Sequence, residues 1–365
     1  MSEKRDSLAA RSFYGQVTSS AGERWDVRVA QVAGLTAVAG VAMVHDADTG
    51  WAAATSVGPG TPYSLNAVTA YSPADAWAVG QTQRAPLIEH WDGAAWRLVP
   101  CDWPASLVGA GLLGVDASSA SAAIAVGGAY DRLAGTEVAL VRHWDGSTWH
   151  PCDAGTGLVL TDVTMPSVRE AWAVGHGSGG PVALHWDGTA WTPADVPRTP
   201  RGRLLAVAAP GTGEVWAVGA DDRAALIMRF DGQAWHRVRP PAGTPKLTSV
   251  VALPDGEVWA AGGSGLLRWN GRRWRQAGPG IPSVNTLAAL SPADVWAGGA
   301  SGLAHFDGRR WQRVTSVPEL DSSATWLGSA AVAPATVWMV GSRTASVDSV
   351  PLTGRELGNQ ESHAS

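Results

Sequence analysis

Short apolar runs broken by turn residues recur along most of this chain, and the cycle from Leu65 to Val99 serves as their pattern. A small-apolar run, LNAVTAY, is followed by the turn SPAD, by AWAVG, and by LIEHW leading into Asp92-Gly93 and out through Trp96. Apolar and polar positions alternate between clusters of Gly, Pro and Asp, which predicts half-buried strands joined by short connections; helical periodicity is scarcely signalled. Each cycle predicts four strands, A to D, with Asp-Gly supplying the positive φ that a tight hairpin between C and D requires. That hairpin returns as HWDGSTW from His143, HWDGTAW from His185, RFDGQAW from Arg229, RWNGRRW from Arg268 and HFDGRRW from His305. Strand B returns as versions of WAVG headed by Trp77, Trp172, Trp216, Trp259, Trp296 and Trp338, with Ile124 in one repeat. A repeat of roughly 37 to 48 residues is that of a four-stranded propeller blade.

These repeats predict an all-β chain forming a single β-propeller over residues 12–352, with flexible ends at 1–11 and 353–365. Tryptophans at the B, C and D positions are expected to be packed between neighbouring sheets. Phe13 to Thr18 and Arg24 to Ala30 read as strands C and D, with Trp25 in the D position. The run from Leu35 and GWAAATS from Gly50 read as A and B, as does Thr325 to Gly341; a weaker strand candidate covers Ser346 to Leu352. Seven blades follow from counting C/D hairpins, with residues 31–64 partly irregular, and eight from counting A/B pairs. In either count strands from both termini close the ring, the amino-terminal C and D completing the sheet begun at the carboxy terminus and covering edges that would otherwise pair with other molecules.

Composition narrows the function classes. A net charge of −5 and a pI near 6 give no general attraction to nucleic acid, although a local basic patch would escape that average. No apolar run reaches the length of a signal-peptide core or a membrane span, so a soluble, cytoplasmic, monomeric protein is expected. Cys101 and Cys152 follow the last strand of successive repeats and are expected as free thiols in a reducing compartment.

The A–B and C–D turns are short and nearly alike between repeats, whereas the B–C and D–A connections vary. Variable loops on a rigid scaffold are where a binding site is expected. The B–C segments bring Arg84, the group Tyr130, Asp131, Arg132 and Glu137, then His176, and then Asp221, Asp222 and Arg223. The D–A segments bring Asp102 and Trp103, the run Pro197 to Arg203, and Pro318 to Ser323. Such a set suits a small molecule, a glycan or a protein partner.

No cofactor and no metal are expected. His90, His143, His185 and His305 occupy one strand position in different blades, so they are spread around the ring instead of converging on an ion, and Arg229 and Arg268 replace them elsewhere. His176 and His150 sit near connections and would bind metal or shuttle protons only if they met. Asp46 to Gly50 begins like a calcium loop but lacks its glutamate, and is read as a turn between strands A and B. Of the carboxylate pair that glycoside hydrolysis needs, Asp102, Asp131, Glu137, Asp221 and Asp222 are the candidates.

With these motifs in hand, the chain over roughly residues 12–345 resembles bacterial β-propellers built of WAVG and HWDGxxW repeats. The DGSTW at Asp145 resembles part of the Asp-box of sialidase-like propellers, and the strand pattern is similar to kelch and tectonin repeats. The Asp-box is incomplete and the sialidase arginine triad has no matching motif, so the resemblance implies no catalytic residues. Propellers of these families include both binding proteins and enzymes; the absence of a catalytic motif favours a binding propeller, with an enzyme (a lyase, hydrolase or cyclase acting at the channel mouth) as the alternative.

Overall fold

A computed structural model describes residues 15–18, 24–27, 37–46, 50–54, 61–222, 224–278, 283–299, 302–314, 324–332 and 336–345. The chain forms two compact units, one of Met1–Ala37 with Thr344–Ser365 and one of Val38–Arg343. Of the first, the described part is an antiparallel hairpin, Gly15–Thr18 with Arg24–Val27.

The second unit contains six blades, each an antiparallel meander of four consecutive strands. Blade 1 is Tyr63–Ser72, Asp75–Thr82, Pro86–Trp91 and Trp96–Leu98, and blade 2 is Leu107–Ser119, Ala122–Asp131, Thr136–Trp144 and Trp149–Pro151. Blades 3 to 6 cover 158–194, 202–237, 249–276 and 284–314. Six such blades replace the seven expected from hairpins. A further sheet is composite: Ala324–Val332 and Thr336–Ala345 lie in order with Ala37–Asp46 and Gly50–Ala54. Its first strand packs against the first strands of blades 6 and 1.

The strands expected to join the carboxy-terminal pair were Phe13 to Thr18 and Arg24 to Ala30, but their described parts form a two-stranded sheet of their own. The segment read as A and B, around His45 and Trp51, takes that place. Its register, His45 opposite Trp51 and Asp46 opposite Gly50, is that of a C–D hairpin whose Asp and Gly stand apart in sequence, which hid it from the Asp-Gly pattern. The candidate strand at 346–352 and the loop 318–323 lie outside the described residues.

The C–D turns are wider than two residues. Trp91 pairs with Trp96, leaving the four-residue loop Asp92 to Ala95, and Asp92 Oδ1 accepts the backbone N–H groups of Ala94 and Ala95. Glycine supplies the positive φ, +95° at Gly146 for example, while the Asp before it keeps an ordinary backbone. The carboxylates of Asp92, Asp187, Asp231 and Asp307 are held at about 2 chiefly by bonds of this kind and, at Asp92, first by the Arg97 side chain.

Packing between blades explains the recurring indoles. The strand-B Trp of one blade inserts between the two aromatics that flank the C–D turn of the next: Trp77 against Trp144 and Trp149, Trp172 against Phe230 and Trp235, Trp216 against Trp269 and Trp274, Trp259 against Phe306 and Trp311. Trp338 of the composite sheet does the same with Trp91 and Trp96 of blade 1. Edge-on contacts of this kind add to the apolar area buried.

An acid two residues before the Trp ties the cluster to strand C. Glu214 Oε1 accepts Trp216 Nε1 at 2.9 Å and Arg229 Nε at 2.8 Å, and Asp294 Oδ1 receives Trp296 Nε1 at 2.8 Å and contacts His305 Nε2 at 2.9 Å. The repeated histidines are therefore sheet-face partners, His90 and His185 tilted against Trp77 and Trp172 and His305 stacked on Trp296, at ring distances of 4.2, 4.5 and 4.2 Å. Blade 2 has Ile124 for the Trp and Ala122 for the acid; its His143 is pushed below the usual histidine range, first by burial.

Candidate functional site

In a meander the B–C and D–A connections share one face, and among the six blades of consecutive strands blade 2 extends its strand B farthest towards it. Strand B ends at Thr82, five residues beyond Trp77, and at Gly262, three beyond Trp259, but in blade 2 it continues to Asp131, seven beyond Ile124. Strands A and C follow it, Leu107 and Thr136 both pairing with Asp131. The tip is fixed: Asp131 Oδ1 accepts the N–H of Leu133 at 2.8 Å and of Ala134 at 3.4 Å, and Arg132 N donates to Ser106 O at 3.1 Å. Those bonds, led by that from Leu133, draw the Asp131 carboxyl below its ordinary range. What the hairpin presents is apolar, with Leu133 89% exposed and Tyr130 40% exposed, flanked by exposed Arg132 and Glu137.

The other expected residues stand apart from this tip. Arg84 is exposed on the short B–C turn of blade 1, its N–H bonded to Thr82 Oγ1. Asp102 is exposed, and its backbone carbonyl accepts Arg142 Nη2 at 3.0 Å. Trp103, which the sequence made look exposed, is half-buried against the cluster between blades 1 and 2, with the Arg142 guanidinium 4.1 Å above its ring. Arg142 also donates to Cys101 Sγ at 3.4 Å. It went unnoticed in the sequence, although Leu184, Met228 and Leu267 hold its place in other repeats. Both cysteines are free, and burial raises the Cys152 thiol.

His176 is half-buried at the end of strand B in blade 3, held at about 4 by burial and then by Arg203, so its ring is neutral at neutral pH. His150 bonds Asp145 Oδ2 on a C–D turn, at the other end of its blade, so the two histidines do not form a pair. In blade 4 Asp221 pairs with Arg237 at 3.0 Å, and Asp222, at φ +53°, lies 3.7 Å from Arg201. Arg223 lies outside the described residues. The proposed residues thus form separate local groups. Among the described residues no three His, Cys, Asp or Glu side chains cluster as metal ligands.

The first strands line a central cavity of about 450 Å³ that includes Asp116 and Asp162, two acids the sequence reading passed over. Both serve as fasteners between blades. Asp116 Oδ2 accepts Met165 N of blade 3 at 2.7 Å while its Oδ1 accepts Thr69 Oγ1 of blade 1 at 2.9 Å; Asp162 Oδ2 accepts Val207 N of blade 4 at 2.9 Å. Ser249 Oγ of blade 5 accepts the corresponding bond from Leu287 N of blade 6 at 3.0 Å. Burial raises both carboxyls, that of Asp162 to about 7, where the nearby Asp116 adds to the effect.

This has a consequence for stability. Asp162 holds its proton more tightly folded than unfolded, so its contribution favours the fold at low pH and declines as pH rises from about 4 to about 7. Asp162→Asn should therefore reduce the difference in melting temperature between pH 5 and pH 8; an unchanged difference would remove Asp162 as its source.

No protein-family model matches the chain, and no curated protein matches it. Solved structures do. The chain is similar to YCF48 bound to D1 peptide, with 16% identity and a TM-score of 0.58 over 80% of this chain and 98% of that one. It is also similar to virginiamycin B lyase from Staphylococcus aureus (10% identity, TM-score 0.56, 76% of this chain and 94% of that one) and to the RRP9 WD40 repeats (10%, 0.57, 78% and 96%). Identities this low show the fold, a β-propeller. The narrower resemblance to Asp-box, kelch and tectonin propellers rests on the sequence motifs.

Proposed function

We propose that this chain is a protein-binding propeller whose partner docks on the B–C/D–A face, around the raised hairpin of blade 2. The observation that carries this is the exposure of Leu133 and Tyr130 on a tip held rigid by Asp131. An apolar anchor on a pre-ordered hairpin loses little entropy on binding and suits the centre of a protein interface. That YCF48 has been seen with a D1 peptide supports the reading by analogy of fold. The composite sheet is taken as the blade that completes the ring and joins the two ends of the propeller.

An enzyme would need acids free to exchange protons, whereas the two that line the described cavity, Asp116 and Asp162, spend oxygens on backbone N–H groups of neighbouring blades. A small molecule or glycan would need polar groups brought together, and the described candidates lie in separate groups. Binding of a protein is therefore preferred.

A photoreactive residue placed at position 133 should crosslink the partner, which mass spectrometry then identifies. With that partner purified, Tyr130→Ser/Leu133→Ser should weaken binding at least about tenfold while leaving the circular dichroism and melting curve unchanged. Undiminished affinity in the folded double variant would refute the assignment.

A further inference from the structure

The opposite face, formed by the A–B and C–D turns, is not electrically uniform. In five C–D tips an Asp stands at the first loop position, namely Asp92, Asp145, Asp187, Asp231 and Asp307; in blade 5 it is Asn270. Its amide still closes the turn, accepting the N–H groups of Arg272 and Arg273 at 3.1 and 2.9 Å. The charge is gone, and with it a partner. In four blades the second carboxylate oxygen contacts the residue just after the exit Trp: Arg97, His150, His236 or Gln312. In blade 5 that residue is Arg275, which has no ion pair among the described residues.

The same tip carries the doublet Arg272-Arg273, and blade 6 repeats it as Arg309-Arg310, where blades 1 to 4 have Ala94-Ala95, Ser147-Thr148, Thr189-Ala190 and Gln233-Ala234. The two hairpins are neighbours, since Trp259 and Arg268 of blade 5 pack on Phe306 of blade 6 at 5.2 and 5.9 Å. Arg272, Arg273, Arg275 and Arg309 are exposed and make no ion pair among the described residues; Arg310 stands 3.8 Å from Asp307. A dense cationic patch therefore sits on a chain whose net charge is −5.

We infer that these two hairpins form a second docking surface, separate from the raised hairpin of blade 2, that takes a short carboxylate-rich segment of a partner protein. Guanidinium groups pair carboxylates in a two-pronged geometry, and doublets on fixed turns present them without further ordering. Nucleic acid fits less well. The indoles beside the tips are committed to packing, Trp274 being 4% exposed and Trp311 set against Trp259, so they offer bases no platform. The patch is two hairpins wide, and a long polyanion would extend beyond it over a chain of negative net charge.

The test is fluorescence anisotropy of a labelled deca-glutamate peptide at low and moderate salt, with a short DNA duplex and phosphatidylserine-containing vesicles as competing probes. The whole chain should bind the peptide, and R272E/R273E/R309E should lose at least about tenfold in affinity. Asn270→Asp, which restores the acid used by the other tips, should weaken binding several-fold without moving the melting curve. R239E/K246E, reversing charge at exposed positions of the connection from blade 4 to blade 5 on the opposite face, should bind like the unaltered protein. Equal peptide binding by the triple variant or by Asn270→Asp, equal loss in R239E/K246E, or tighter binding of the duplex or vesicles than of the peptide would overturn the inference.

Discussion

Trp216→Ala should cost about 3–5 kcal/mol, at the upper end for a single core truncation. Trp216 is fully buried, meets Trp274 edge-on at 5.4 Å and Trp269 at 5.0 Å, and donates its indole N–H to Glu214. Removing it opens a cavity at the joint between blades 4 and 5. It also deprives Glu214 of one donor, leaving the carboxylate to Arg229 alone. Neighbouring blades cannot collapse into the space, because each is held by its own indole on either side. Chemical denaturation of the variant against the unaltered protein measures the loss; a cost below about 1 kcal/mol would show that the indoles are not what joins the blades.

Gly219→Ala, the smallest possible enlargement, should be nearly as damaging, on the order of 3 kcal/mol. Gly219 closes the strand-B motif of blade 4, opposite the bulge that leaves Leu205 unpaired in strand A. A Cβ there would fall inside the contact radius of Arg203 O, and backbone held in a sheet has nowhere to move. Gly80, Gly127, Gly175, Gly262 and Gly299 stand against Ser64, Gly111, Val159, Lys246 and Ser283 in the same way, so one backbone approach explains the glycine that closes the strand-B motif in each of the six blades. A variant that melts with the unaltered protein would show that the strand separates there at little cost.

What the sequence revealed and what it concealed follow from how local each feature is. Six C–D hairpins were legible because Asp or Asn, Gly and two aromatics within seven residues are enough to specify the turn and its flanking packing. That His90, His185 and His305 are spread around the ring and do not converge was legible for the same reason: each recurs at one register position beside a Trp. The composite sheet was misread at its amino-terminal half, since Asp46 and Gly50 are separated where the other hairpins have them adjacent. Asp116, Asp162 and the Arg142–Trp103 stack depend on partners some 39 to 49 residues away, a distance at which single-chain patterning carries no information. The raised tip was half legible: the long B–C segment marked blade 2 as different, while the exposure of Leu133 and the use of Asp131 to shape the turn needed coordinates.

Hydrogen–deuterium exchange of the propeller alone and with its crosslink-identified partner tests most directly where recognition occurs. Slowed exchange should be confined to residues 107–109 and 129–138 of blade 2 and the connections beside them. Protection instead at the A–B turns around 72–75 and 167–170, with the blade 2 tip exchanging as freely as before, would contradict the account.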